Sequence, residues 1–246
     1  MAGHSKWKNI QHRKGAQDAR RGKIFTKIGL EITVAVRISG KDPESNPRLR
    51  LALNKARAEN MPKDNIERAI KKGAGELGDA STYTEKVYEG YGPNGIAVIV
   101  ECLTDNVNRT VSEVRHAFSR NGGNLGTDGS VAWMFHSKGQ IIYGKDKIRD
   151  FDRLFEYALE HGAEDLKDQE DSYEIICEPS QFNELKQKLD EFLKIDADFA
   201  EVTRIAENTT ALGVEESQAL MKLVDALEDK DDVQNVYHNG DLADDV

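Results

Sequence analysis

Residues 139–206 alternate between two hydrophobic periods in an order that few folds accept. "GQIIYG" (139–144) has the apolar density of a strand, and 149–161 then places Leu154, Phe155, Ala158 and Leu159 at helical spacing. "AEDLK" (163–167) and "SYEIICE" (172–178) return to strand. A second helical pattern over 180–193 aligns Phe182, Leu185, Leu189 and Phe192, and "FAEVTRIA" (199–206) closes the series as a strand. The order is βαββαβ, the ferredoxin-like motif, in which two helices cover one face of an antiparallel sheet.

The flanks of that segment hold an incomplete pattern of the same kind. "KVYEGYG" (86–92) leads through a Gly-Pro turn into "IAVIVECLT" (96–104), whose β-branched run predicts a strand buried on both faces. Residues 107–121 carry Val107, Val111, Val114 and Phe118 on one helical face. The spacing of Thr110 and Glu113 fits a capping box, with Asp105 or Asn106 as earlier starts. "NGGNLGTDGS" (121–130) reads as a glycine-rich loop and "VAWMF" (131–135) as a strand. After residue 206, Val214, Leu220, Leu223, Val224 and Leu227 mark a helix and "DVQNVYH" (232–238) a strand. That late pair has no partner of its own, but it completes the ββαβ of residues 85–136 as a second ferredoxin-like sheet. One α/β domain is therefore expected inside another, hinged near residues 136 and 207. The last stretch, 225–246, has eight Asp or Glu against one Lys, and a frayed end is expected.

Before residue 73 only helical periods occur. Ile24, Phe25, Ile28, Ile32, Ala35 and Val36 form one stripe, which Gly40 ends. Asn46-Pro47 is an N-cap followed by proline at the first helical position, and Leu49, Ala52, Leu53 and Ala56 form the next stripe. A third helix starts near Met61-Pro62, carries Ile66, Ala69 and Ile70, and stops at Gly73. Residues 73–84 are small and polar, as a linker is. The expected fold is α+β: a three-helix domain over 1–76, a split ferredoxin-like domain over 77–136 and 207–246, and an inserted ferredoxin-like domain over 137–206.

Charge is segregated along this chain. Residues 1–72 hold 18 Lys or Arg and 7 Asp or Glu, a net of +11. The remaining residues hold 16 basic and 37 acidic side chains, so an acidic body follows a basic start. This is the footprint of a polyanion-binding arm. Its basic residues are interleaved with His4, Trp7, His12 and Phe25. The candidate nucleic-acid contacts are Lys6, Trp7, Lys8, His12, Arg13, Lys14, Arg20, Arg21, Lys23 and Lys27. Lys and Arg meet phosphates and release counterions, and Trp7 is placed to stack on an unpaired base or to anchor the segment to the bundle.

Other chemistry finds little support. Gly73-Ala-Gly75-Glu-Leu-Gly78 follows a helix and Gly90-Tyr-Gly92-Pro-Asn-Gly95 joins two strands, so neither GxGxxG match opens a helix after a strand as a dinucleotide site requires. Gly122 is better placed as a helix stop than as a phosphate cradle. Asp105, Asn106, Asn108, Arg109 and Thr110 cluster at a strand-to-helix junction, where a cap and a local ion pair account for them. The six histidines show no metal-ligand spacing, and Cys102 and Cys177 read as buried, reduced thiols. No catalytic residue, cofactor or metal is expected. The longest apolar run, Ile96 to Val100, is far short of the ~20 residues of a spanning helix. No membrane association is expected, nor is export. A cytoplasmic monomer is.

Four stretches carry a resemblance. "MAGHSKWKNIQHRKGAQDARRGKIFTK" is similar to the N-terminal signature of the YebC family, and "YEGYGPNGIAVIVE", "TDNVNRT" and "NGGNLGTDGSVAWMF" resemble its internal motifs in the same order. The resemblance spans almost the whole chain. It implies a helical N-terminal domain with two α/β domains. It also implies a regulator of gene expression: members are described as cytoplasmic DNA-binding transcriptional regulators. A related mitochondrial branch activates translation of cytochrome oxidase, and bacterial members have been linked to ribosomes stalled on proline-rich stretches. DNA and ribosomal RNA are thus both expected partners, the second as part of the ribosome. No helix carries the Asn, Gln and Arg set of a major-groove reader, so strong sequence specificity is not expected.

Overall fold

The computed structural model describes residues 17–78 and 82–243, with side chains from residue 22 onward. Helices α1 (Gln17–Ser39), α2 (Pro47–Ala58) and α3 (Lys63–Gly73) form the first unit. Gly40 ends α1 with φ of +85°, and its N–H donates to the Val36 carbonyl at 2.7 Å. Asn46, almost fully buried, has two roles. Its Oδ1 accepts from Leu49 N at 3.0 Å to cap α2. Its Nδ2 donates to the carbonyls of Ala35 at 2.8 Å and Gly40 at 2.7 Å, which pins the α1–α2 turn. Ile28, Ile32, Ala35, Leu49, Leu53 and Ala69 share the core between the helices. Ile32 is fully buried, a contribution of about 1.5–3 kcal/mol. Gly73 sits where α3 meets α1, and a Cβ there would lie 2.5 Å from the Thr33 carbonyl oxygen.

The first sheet begins with β1 (Thr84–Tyr91) and β2 (Ala97–Thr104), an antiparallel hairpin. Helix α4 (Val107–Arg120) crosses to β3 (Asn124–Leu125), which pairs with β1 on the outer side. Much later, helix α7 (Val214–Glu228) delivers β9 (Val233–His238) to the free side of β2. The strand order is β3-β1-β2-β9. Strand β2 is buried on both faces. Val98, Val100 and Cys102 pack against Val114 and Phe118 of α4 and Leu220 and Leu223 of α7. Ala97 and Ile99 point the other way, onto Phe135, Ile176 and Ile205 of the neighbouring layer.

That layer is the second sheet. It consists of β4 (Phe135–Gly144), β5 (Ala163–Asp168), β6 (Ser172–Cys177) and β7 (Phe199–Ala206), with α5 (Phe151–Glu160) and α6 (Phe182–Leu193) between them. All pairings are antiparallel and the order is β5-β6-β4-β7, as a βαββαβ chain requires. Tyr143, Leu154, Ile175, Leu185 and Leu189 fill the space beneath the two helices. The segment enters and leaves through one pair of strands, because Phe135 lies opposite Ala206. The first sheet reaches the same layering from a different element order, ββαβ followed at a distance by αβ.

Two details depart from the sequence expectations. "VAWMF" is not a strand: Ala132–Met134 is a single 3₁₀ turn, and β4 starts only at Phe135. The glycine-rich stretch is not all loop, since Asn124–Leu125 supplies the outer strand. The first of these follows from one buried side chain. Glu89, 7% exposed, accepts from Gly129 N at 2.7 Å, Val131 N at 2.8 Å and Ala132 N at 2.7 Å. Those amides are thereby withdrawn from any strand ladder. Burial pushes the Glu89 carboxyl up, but the three N–H groups outweigh it and hold the pKa below the ordinary value. The chain is packed through residue 243, and the last three residues, where the frayed end is expected, lie outside the described residues. Leu242 is buried, and β10 (Gly240–Asp241) pairs in parallel with β8 (Thr210–Ala211). Of the three helix starts the sequence offers, Asn106 is the cap, its Oδ1 accepting from Arg109 N at 3.1 Å, and Thr110 lies inside the helix.

Candidate nucleic-acid interface

Of the proposed contacts, Lys6, Trp7, Lys8, His12, Arg13 and Lys14 lie outside the described residues. Arg20 and Arg21 belong to the first two turns of α1, which gives them a helical backbone. Lys23 and Lys27 follow one turn apart on that helix, and both reach the acidic body. Lys23 Nζ pairs with the Asp229 carboxylate and donates to the Asp229 carbonyl at 3.2 Å. Lys27 Nζ donates to the Glu228 carbonyl at 2.7 Å. Both acceptors stand at the C-terminal end of α7, where the last carbonyls have no partner in the helix and the macrodipole is negative. The hydrogen bond from Lys23 holds the Asp229 carboxyl below its usual range.

The rest of the helical unit is basic too. Residues 47–73 hold eight Lys or Arg and three Asp or Glu. Arg50, Arg57, Lys63, Arg68 and Lys71 are exposed on α2 and α3. These five follow Lys27 in the chain and are part of the charge excess over residues 1–72.

A cleft of about 560 Å³ separates the helical unit from the first sheet. Arg48 lines it, with Nε 2.6 Å from Glu31 Oε1, Nη2 3.1 Å from Glu31 Oε2, and Nη1 bonded to Glu85. Also on its wall, Arg204 Nε donates to Glu101 Oε1 at 2.7 Å, while Asn235 Nδ2 (3.2 Å) and Tyr237 OH (3.3 Å) hold Oε2. Each arginine in the cleft is paired with a glutamate. The cleft's role in the architecture is a charged seam between two separately packed cores.

The Asp105–Thr110 cluster is structural. Arg109 Nη2 bonds Asp105 Oδ1 at 2.9 Å and Asp232 Oδ2 at 2.8 Å, and Thr110 Oγ1 donates to Asp232 Oδ2 at 2.7 Å. These bonds tie the start of α4 to the turn before β9. Asp232, distant in sequence, was the partner that the local reading lacked. Gly122 stands just past the end of α4 with φ of +76°, as a helix stop should. Burial pushes the Cys102 thiol up to about 12 and the Cys177 thiol up to about 11. Among the described residues, no group of three His, Cys, Asp or Glu is placed to hold a metal ion, and no helix is long and apolar enough to cross a membrane.

Comparison with known proteins places this geometry in context. The profile described as the TACO1/YebC protein N-terminal domain matches residues 5–76, and that for the TACO1/YebC second and third domain matches residues 83–240. A "Probable transcriptional regulatory protein" of Syntrophotalea carbinolica is 57% identical over 244 residues, covering 99% of this chain and 97% of that one. A protein of Geobacter sulfurreducens with the same description, GSU1074, is 54% identical over 243 residues, again covering 99% and 97%. The crystal structure of Aq1575 from Aquifex aeolicus, described as a conserved hypothetical protein, superposes with a TM-score of 0.81. It is 45% identical and covers 96% of both chains. Two domain profiles spanning nearly the full length, relatives above one-half identity and a shared fold make this chain a member of the TACO1/YebC family.

Proposed function

We propose that the protein is a non-enzymatic regulator of gene expression, working in the cytoplasm, that holds DNA by its basic N-terminal arm and helical unit. The observation that carries this reading is charge segregation: +11 over residues 1–72 against an acidic remainder of 16 basic and 37 acidic residues. The body repels phosphates, so contact is confined to one end of the molecule. Lys6, Lys8, Arg13, Lys14, Arg20 and Arg21 supply phosphate contacts, with Trp7 and His12 among them. The relatives named as transcriptional regulatory proteins support a regulatory role. Residues 137–206 act in this reading as an inserted unit within the split domain of 77–136 and 207–246. A basic arm without a base-reading helix binds by backbone charge and discriminates weakly between sequences.

Crosslinking in living cells, followed by sequencing of the recovered nucleic acid, tests the assignment. Enrichment of promoter DNA is expected. Recovery of ribosomal RNA instead would replace transcription by translation as the process served, with the same arm as the contact.

A further inference from the structure

Lys23 and Lys27 have the position of arm residues but the partners of a docking contact. We infer that the C-terminal end of α7 is an internal competitor for the basic arm, an autoinhibitory clasp that withholds these two lysines from nucleic acid until it opens. The inference rests on the reading of the arm as a nucleic-acid binder.

Three observations support it. The first is chemical likeness: a carboxylate and two main-chain carbonyls at the negative end of a helix offer a lysine what a phosphate offers, and all act as anionic or dipolar acceptors. The second is accessibility. Lys23 is 41% exposed and Asp229 67% exposed, so a polyanion reaches the pair without unfolding anything. The third is the seam itself. The helical unit and the first sheet keep separate cores, with a cleft of about 560 Å³ and charged contacts such as Arg48–Glu85 between them. Units joined by polar contacts of this kind move relative to one another by default. Exposed ion pairs are weak and screened by salt, which suits a contact that must yield.

The test is a mutant cycle read by binding of a 20-base-pair duplex to the full-length protein at several salt concentrations. Asp229→Asn removes the carboxylate charge that competes for Lys23 and leaves only neutral acceptors. Asp231→Asn removes the same charge from a neighbouring exposed position, and so controls for the general field of the body. The clasp predicts that Asp229→Asn binds roughly two- to five-fold tighter than Asp231→Asn, the range of one exposed ion pair. Its dependence of log K on log salt should steepen by about 1, for one added phosphate contact. Lys23→Ala should change little in the wild-type chain but abolish the gain in the Asp229→Asn chain. Equal affinity for Asp229→Asn and Asp231→Asn overturns the clasp, as does a loss of affinity for Lys23→Ala in the wild-type chain. If no variant binds duplex or single-stranded nucleic acid, the reading of the arm fails, and the clasp with it. If the wild type binds normally and the cycle is flat, only the clasp fails.

Discussion

Glu89 offers a direct test of how the loop before β4 is held. Its buried carboxylate accepts three backbone N–H groups, from Gly129, Val131 and Ala132, at 2.7–2.8 Å. Glu89→Gln keeps the shape but turns one acceptor oxygen into a donor, so at least one N–H faces another donor. An unsatisfied buried N–H costs about 1–3 kcal/mol, the loss expected for this variant. Glu89→Ala abandons all three amides and a buried side chain, and about 3–5 kcal/mol is expected. The folded carboxyl has a lowered pKa, so the unfolded chain binds the proton more readily. The stabilisation is complete above the unfolded carboxylate range and fades as pH falls through the folded value. Urea unfolding at pH 7 and at steps down to pH 3 measures both effects. Wild type and Glu89→Gln should converge as the pH drops, and amide exchange at 129, 131 and 132 should quicken in the variant at neutral pH. A Glu89→Gln chain within 0.5 kcal/mol of wild type at pH 7, with those amides still protected, would refute the argument.

Other expectations follow from single contacts. Gly73→Ala should cost about 1–3 kcal/mol of helical-unit stability by thermal melting, since its Cβ would meet backbone oxygen at 2.5 Å and Val36 Cβ at 2.7 Å. Asn46→Ala removes a cap and two buried hydrogen bonds, so a loss of about 2–3 kcal/mol is expected by the same measurement. Cys102 and Cys177 should resist alkylation at pH 8 in the folded protein and react once urea unfolds it, because both are buried with raised pKa values.

Much of the fold was legible because its signals are local or periodic. Asn46-Pro47 and Gly40 mark helix boundaries within a few residues, and the β-branched run of β2 announced burial on both faces. The return of β9 to β2 across more than a hundred residues was also inferable, since a lone αβ pair needs a sheet to join. What escaped depends on distant partners. The two residues of β3 have no alternation to detect, and their pairing with Gly90 and Tyr91 is backbone alone. "VAWMF" has a strand's composition, yet its first two amides are claimed by a carboxylate some forty residues earlier. Lys23 and Lys27 carry the same limit at the candidate site: charge type says that a lysine seeks an anion but not which one. The sequence suggested phosphate, and the described contacts are Asp229 and Glu228.

The central claim is that six arm cations, Lys6, Lys8, Arg13, Lys14, Arg20 and Arg21, grip the nucleic-acid backbone. Its most direct test is the salt dependence of duplex binding by the wild-type protein beside a chain in which all six are changed to glutamine. Six phosphate contacts predict a slope of log K on log salt near −5 for the wild type, far flatter in the substituted chain, where only the cations of the helical unit remain. A substituted chain that still binds with a slope near −5 would contradict the account and move the site to another surface of the molecule.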